Sequence, residues 1–154
     1  MAAAPFRHRH RVSYAECTVG NHVYYARYLD ILERARGEFF RAAGLPLAVL
    51  QTQDVIFPAV EAHLHYEAAA RYDEELIIEV VVTQLDRLNL GFAYGVSNAR
   101  KQIILTARTR HVCASVEEKP KRMPPEVFNK LNAAFTGASA APAPPPTPPP
   151  QKPP

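Results

Sequence analysis

The residues best equipped for chemistry sit where a turn, Val19-Gly20-Asn21, gives way to a helical pattern. Asn21 has a helix N-cap side chain, and the amides of Val23, Tyr24 and Tyr25 that follow would lack intrahelical acceptors. Such amides carry partial positive charge and can hold an anion or a developing oxyanion. Glu16 places a carboxylate in the turn just upstream. His22, at the helix entry, titrates from an ordinary value of about 6.5; it could contact a substrate or relay a proton, or be a satisfied structural histidine, and a helix N-terminus disfavours its imidazolium. Glu33 follows Tyr25 by eight residues, roughly two helical turns, and could act as a base or pair with Arg36 three residues on. Tyr24, Tyr25 and Tyr28 could line a pocket or pack in a core.

Other reactive types are weaker signals. His8/His10 and His63/His65 have the i, i+2 spacing that puts each pair on one strand face, but no cysteine or carboxylate completes a four-ligand metal pattern, and no metal is expected. Cys17 and Cys113 have no partner at C-x-x-C spacing. Two such thiols suit a reducing compartment, so the expected location is cytoplasmic. Cys17 reads as an inert thiol rather than a nucleophile.

These groups have to be positioned by a small body. Nine of the 15 prolines among the 154 residues lie between Pro142 and Pro154. The expected organisation is a flexible N-terminus over residues 1–6, one domain over 7–136, and a disordered proline-rich tail over 137–154. One core fits such a body, whereas a cofactor domain beside a catalytic one does not, which excludes two-domain dehydrogenases, kinases and synthetases. No run approaches a membrane span, and the N-terminus lacks the apolar core of a signal peptide. The net charge of +3 is too small to make nucleic acid the leading partner.

Periodicity supplies the elements. A strand is expected over Arg7–Ala15, then a helix over Val23–Ala43 with Leu29, Leu32, Ala35, Phe39 and Ala43 on its apolar stripe, stopped by Gly44 and Pro46. Arg27, Asp30, Arg34, Glu38 and Arg41 form the opposite, charged face. Asp54–Tyr66, Glu75–Leu85, Leu88–Ser97 and Gln102–Val116 are rich in Val, Ile, Tyr, Phe and Thr and read as four antiparallel strands. Glu126–Phe135 reads as a short terminal helix. The fold class is α+β: a long helix on a five-stranded antiparallel sheet, with a short C-terminal helix. A monomer of this kind leaves an exposed sheet edge, which predicts dimerisation by edge pairing.

The segment Val12–Arg36, VSYAECTVGNHVYYARYLDILERAR, resembles the signature of the 4-hydroxybenzoyl-CoA thioesterase group of hot-dog-fold proteins, through Tyr14, Glu16, Gly20, His22-Val23-Tyr24-Tyr25, Tyr28-Leu29 and Glu33-Arg34-Ala35-Arg36. The run Ala70–Leu76 is similar to the group's third-strand entry. The resemblance implies a hot-dog fold, a homodimer or homotetramer with the site at the subunit interface, and hydrolysis of acyl- or aryl-CoA thioesters with no cofactor. It also implies that the Tyr25 amide holds the oxyanion. The group's turn carries two acids before the glycine, and the second acts as nucleophile or base; here they fall on Glu16 and Thr18. Three readings follow: Glu16 supplies the carboxylate; Thr18 orients water for Glu33 or Asp30; or the protein binds thioesters without hydrolysing them. Arg87 falls at a position of phosphate contacts in the group, with Arg100-Lys101 and Lys119-Lys121-Arg122 as alternatives. The Lys119 cluster could instead receive an acyl carrier protein.

Overall fold

A computed structural model describes residues 5–136, so the proline-rich tail lies outside the described residues, as do residues 1–4. In chain order the elements are β1 (Phe6–Arg11), a 3-10 turn (Tyr14–Glu16), β2 (Cys17–Thr18), β3 (His22–Val23), α1 (Arg27–Ala42), α2 (Leu47–Thr52), β4 (Ala59–Tyr66), β5 (Glu75–Leu85), β6 (Asn89–Asn98), β7 (Ile103–Val112) and α3 (Pro125–Thr136). Five strands form one sheet in the order β1-β5-β6-β7-β4, every neighbour antiparallel. β2 and β3 make a separate miniature hairpin.

Period-two alternation sorts the two faces of the sheet. Leu76, Ile78, Val80 and Val82 of β5, Phe92, Tyr94 and Val96 of β6, and Leu105 and Ala107 of β7 are buried toward α1. The helix answers with Tyr28, Ile31, Leu32, Ala35, Phe39 and Phe40. Phe92 lies at the centre, with ring centroids 5.5 Å from Phe39 and 6.0 Å from Phe40. The opposite face is polar, its charges paired across strands as Arg7–Glu79 at 2.9 Å, Arg11–Glu75 at 3.6 Å and Arg110–Glu61 at 2.9 Å.

The helix does not begin where the sequence pattern places it. Asn21 is no N-cap: it adopts φ +60° next to Gly20 at φ +100°, and the two close the turn between β2 and β3. α1 starts at Arg27, behind Ala26, which offers no side-chain cap. Its buried stripe is rotated accordingly, so Leu29 is exposed instead of packed. β1 ends at Arg11, because Tyr14–Glu16 winds into a 3-10 turn. β4 begins only at Ala59, after Pro58, and β7 ends at Val112; between them only the isolated bridge Ile56–Ala114 continues the ladder. α2 is an additional element, opened by Pro46.

Truncating the fully buried Phe92 removes the ring shared by helix and sheet. Phe92→Ala should lose about 3–5 kcal/mol, read as a lowered urea midpoint at unchanged denaturant slope; a variant as stable as the parent would contradict this packing.

Candidate active site

Glu16 is buried, and its carboxylate is engaged on both oxygens. Oε2 lies 2.9 Å from His10 Nε2 and accepts from the Ser13 amide at 2.8 Å, while Oε1 accepts from Arg34 at 3.3 Å. Its main-chain carbonyl accepts the Tyr24 amide at 2.9 Å. Burial acts to raise its pKa, but the Ser13 amide and His10 outweigh burial and hold the carboxyl below its ordinary value. Glu16 therefore ties β1, the 3-10 turn, α1 and the segment before α1 to one another.

That tie fixes the amides. The Val23 N–H donates to the Ala70 carbonyl at 2.8 Å and the Tyr24 N–H to Glu16, so two of the three amides expected to be unpaired are consumed by tertiary contacts. The Tyr25 N–H makes no such backbone bond. Its own carbonyl accepts from the Tyr66 hydroxyl at 3.0 Å, which pins the following peptide. Around it stand four tyrosines. Tyr24 and Tyr25 have ring centroids 4.7 Å apart, Tyr66 lies 6.5 Å from Tyr25 and 5.7 Å from Tyr28, and Tyr24, Tyr25 and Tyr66 are all exposed. Tyr28 is buried, its hydroxyl accepting the Ala70 amide at 3.3 Å.

Thr18 is exposed in the β2–β3 hairpin, paired across it with the half-buried His22. His22 Nδ1 lies 3.3 Å from the Val23 carbonyl. Glu33 is exposed and does not pair with Arg36, which turns inward to Tyr94 instead; Asp30 is paired with Arg27 at 3.2 Å. Arg87 is committed elsewhere: it donates to the Met123 carbonyl at 3.0 Å and lies 5.3 Å from the Phe128 ring centre, clamping α3 to the β5–β6 turn. In the basic cluster, Lys119 pairs with Glu117 and Lys121 with Asp54. Cys17 Sγ lies 3.6 Å from the Ser13 carbonyl, and burial pushes the Cys113 thiol up. His8 and His10 face the helix, whereas His63, beside Arg108, lies on the outer face. Among the described residues no three His, Cys, Asp or Glu side chains gather as a metal site would need, and no helix is long and apolar enough to cross a membrane.

A second polar constellation, invisible in the sequence, lies between α1 and the sheet. Arg36 Nη1 donates to the Tyr94 hydroxyl at 3.1 Å, Tyr94 and Thr109 hydroxyls are 2.9 Å apart, Thr109 is 2.9 Å from His111 Nε2, and His111 Nδ1 is 3.0 Å from the Phe57 carbonyl. The ends fix the direction. A guanidinium only donates and a carbonyl only accepts, so every proton points from Arg36 toward Phe57 and His111 is the neutral Nδ1–H tautomer. Its pKa is pushed down to about 4 by burial and then by the Arg36 charge.

The thioesterase-like superfamily matches residues 12–131. The chain belongs to that superfamily. It is 31% identical over 120 residues to the acyl-CoA thioesterase YbgC of Haemophilus influenzae, covering 76% of this chain and 87% of that protein. It is 24% identical over 123 residues to the 1,4-dihydroxy-2-naphthoyl-CoA hydrolase of Synechocystis, covering 79% and 89%. Among solved structures, a hypothetical protein from Thermus thermophilus aligns with TM-score 0.80 and 30% identity over 84% of this chain and 98% of that one. A Staphylococcus aureus protein solved with CoA aligns at TM-score 0.84 with 16% identity, over 94% of this chain and 92% of that one, and shares the fold. The hot-dog arrangement expected from the signature is the one found.

The His111 pKa is lower folded than unfolded, so below pH about 6.5 the unfolded chain binds more protons. Stability present at neutral pH is therefore lost as pH falls from about 6.5 to about 4, by up to about 3 kcal/mol from this residue. His8, also depressed by burial, contributes with the same sign. Urea midpoints measured at pH 7 and pH 4.5 should fall more steeply for the parent than for His111→Gln; parallel slopes would contradict the buried neutral imidazole.

Proposed function

We propose that the protein is an acyl-CoA or aryl-CoA thioester hydrolase, and that the Tyr25 amide holds the oxyanion. The single observation that carries this reading is a main-chain N–H without a backbone acceptor, held rigidly beside a shelf of tyrosine rings, in a chain of the thioesterase-like superfamily. Water oxygen bonds to the thioester carbonyl carbon, its proton passes to a base, and collapse of the tetrahedral species breaks the C–S bond; protonation of the leaving sulfur gives free thiol beside the acid. Because both Glu16 oxygens are already engaged, Glu16 acts by positioning Tyr24 and hence the Tyr25 amide. Thr18, exposed on the hairpin, orients the water, and the exposed carboxylate of Glu33 is the base. Tyr24 and Tyr66 form walls for the acyl group.

The assembly belongs to the same reading. β4 ends the sheet, and its edge is unpaired among the described residues. Val60 and Tyr66 on it, like Leu29 and Tyr25 nearby, are large exposed apolar residues. Pairing of β4 with its own copy covers this surface and brings one protomer's α1 toward its partner's tyrosine shelf. Sedimentation should return twice the 17.1 kDa chain mass or a larger multiple; a monomer would remove Glu33 from the reaction. The substrate carrier is free coenzyme A, because Lys119 and Lys121 of the basic cluster already pair with Glu117 and Asp54; the two free thiols favour the cytoplasm.

A binding protein without turnover is the second reading, favoured by the full engagement of Glu16 and by threonine at position 18. Thiol release from short, medium, long and aromatic acyl-CoAs separates the two. Hydrolysis should appear on at least one, and Thr18→Ala should lower kcat by about tenfold or more, roughly 1.4 kcal/mol of barrier. Tight binding with no thiol released from any would establish the binder.

A further inference from the structure

The hairpin that carries Thr18 and His22 is a weak structure on its own. Its strands are two residues long and pair only as Cys17 with Val23 and Thr18 with His22, and the turn is closed by the Asn21 N–H donating to the Thr18 carbonyl at 3.1 Å. Even a full-length isolated hairpin is marginal in water. Thr18, Val19, Gly20 and Asn21 are all exposed, Val19 at 97%, so no side chain of the turn is packed into its own chain. Burial therefore cannot fix where Thr18 stands relative to the Tyr25 amide.

The connection between β4 and β5 supplies the missing hold. It is itself tied to the end of β1, with the Val12 N–H donating to the Glu74 carbonyl at 2.9 Å and the Asp73 N–H to the Val12 carbonyl at 3.0 Å. Its Ala70 is fully buried; the Ala70 carbonyl takes the Val23 N–H at 2.8 Å, and its own N–H donates to the Tyr28 hydroxyl at 3.3 Å. The next residue reaches the turn. Arg71 Nη1 donates to the Gly20 carbonyl at 3.3 Å and to the Asn21 carbonyl at 3.5 Å. These are the two positive-φ residues that reverse the chain. Arg71 forms no ion pair among the described residues, which leaves its guanidinium to the hairpin. A planar group that only donates suits two successive carbonyls, and one nitrogen with two N–H bonds can serve both.

We infer that Arg71 is a positioning residue for thioester hydrolysis, clamping the hairpin turn so that Thr18 is held facing the carbonyl carbon whose oxygen the Tyr25 amide receives. Arg71 touches neither the substrate nor the attacking water; it acts through Thr18. Every bond of the clamp lies within one chain, so it holds whether or not a second copy approaches.

The inference rests on the thioesterase reading and on the part Thr18 has in it. On the acyl-CoA that the parent hydrolyses fastest, Arg71→Gln should lower kcat by about tenfold, the scale of one hydrogen bond to a charged group, with KM changed by less than about twofold. Arg71→Lys, which keeps the charge and loses the fork, should recover part of the loss. In a Thr18→Ala background the same Arg71→Gln exchange should cost less than about twofold, because no hydroxyl remains to be positioned. An equal loss in both backgrounds, a loss confined to KM, or an unchanged kcat would overturn the assignment. Hydrogen exchange needs no variant to fold: in the parent the Asn21 amide should exchange at least about tenfold more slowly than a free amide, and exchange at the free rate would refute the clamp. The two failures are distinguishable. A parent that releases thiol from no acyl-CoA ends the thioesterase reading and this inference with it, whereas an active parent with additive losses overturns Arg71 alone.

Discussion

A carboxylate taken out of water must find donors for both of its oxygens, and the way Glu16 meets that demand shapes the region around the site. No single element can supply the donors. They come from the histidine facing inward on β1, from the amide at the start of the 3-10 turn, and from an arginine on α1. The same residue's carbonyl takes the Tyr24 amide. Because these bonds share one side chain, the turn, the strand and the helix are located relative to one another, and the neighbouring Tyr25 amide is presented rather than left to a mobile loop. A residue whose position in the sequence invites a role as base thus works as the anchor of the segment that carries the Tyr25 amide.

What could be read from the sequence follows the range of the interactions involved. The strands β5 and β6 and the terminal helix are set by local alternation, turn residues and proline, and their placement agrees with the structure within a residue or two. α1 starts four residues later than the pattern predicts because the residues just before it answer to tertiary partners. The Val23 amide is taken by Ala70 and that of Tyr24 by Glu16, so His22–Val23 runs as a strand and a turn at Tyr25–Ala26 precedes the helix. The contacts of Tyr66 and Arg36 are illegible in the sequence for the same reason: their partners lie 41 and 58 residues away, and no spacing within the chain records them. Arg87 and Glu33 show the converse. Their residue types suit phosphate and proton chemistry, but only the packing reveals that the first is a clamp on α3 and that the second is left unpaired by Arg36.

The two faces of the sheet divide the labour. On the outer face arginines and glutamates pair across neighbouring strands, which keeps that surface wet without gaining much stability. On the inner face α1 covers the middle of the sheet and stops short of β4, where small and half-buried residues take the place of the expected core. A globular chain of this size would ordinarily close such a strip. Its openness and the free edge of the same strand lie side by side along one margin of the described residues.

The one-way chain from Arg36 to the Phe57 carbonyl constrains how the protein can vary. Each hydroxyl in it both receives and gives a single proton, so replacing any one member strands a donor or an acceptor in the interior beside it. A conservative exchange at one position therefore gains nothing unless its neighbours change in the same step. Four residues scattered over 76 positions of sequence behave as one inherited unit, exchanged together or kept together.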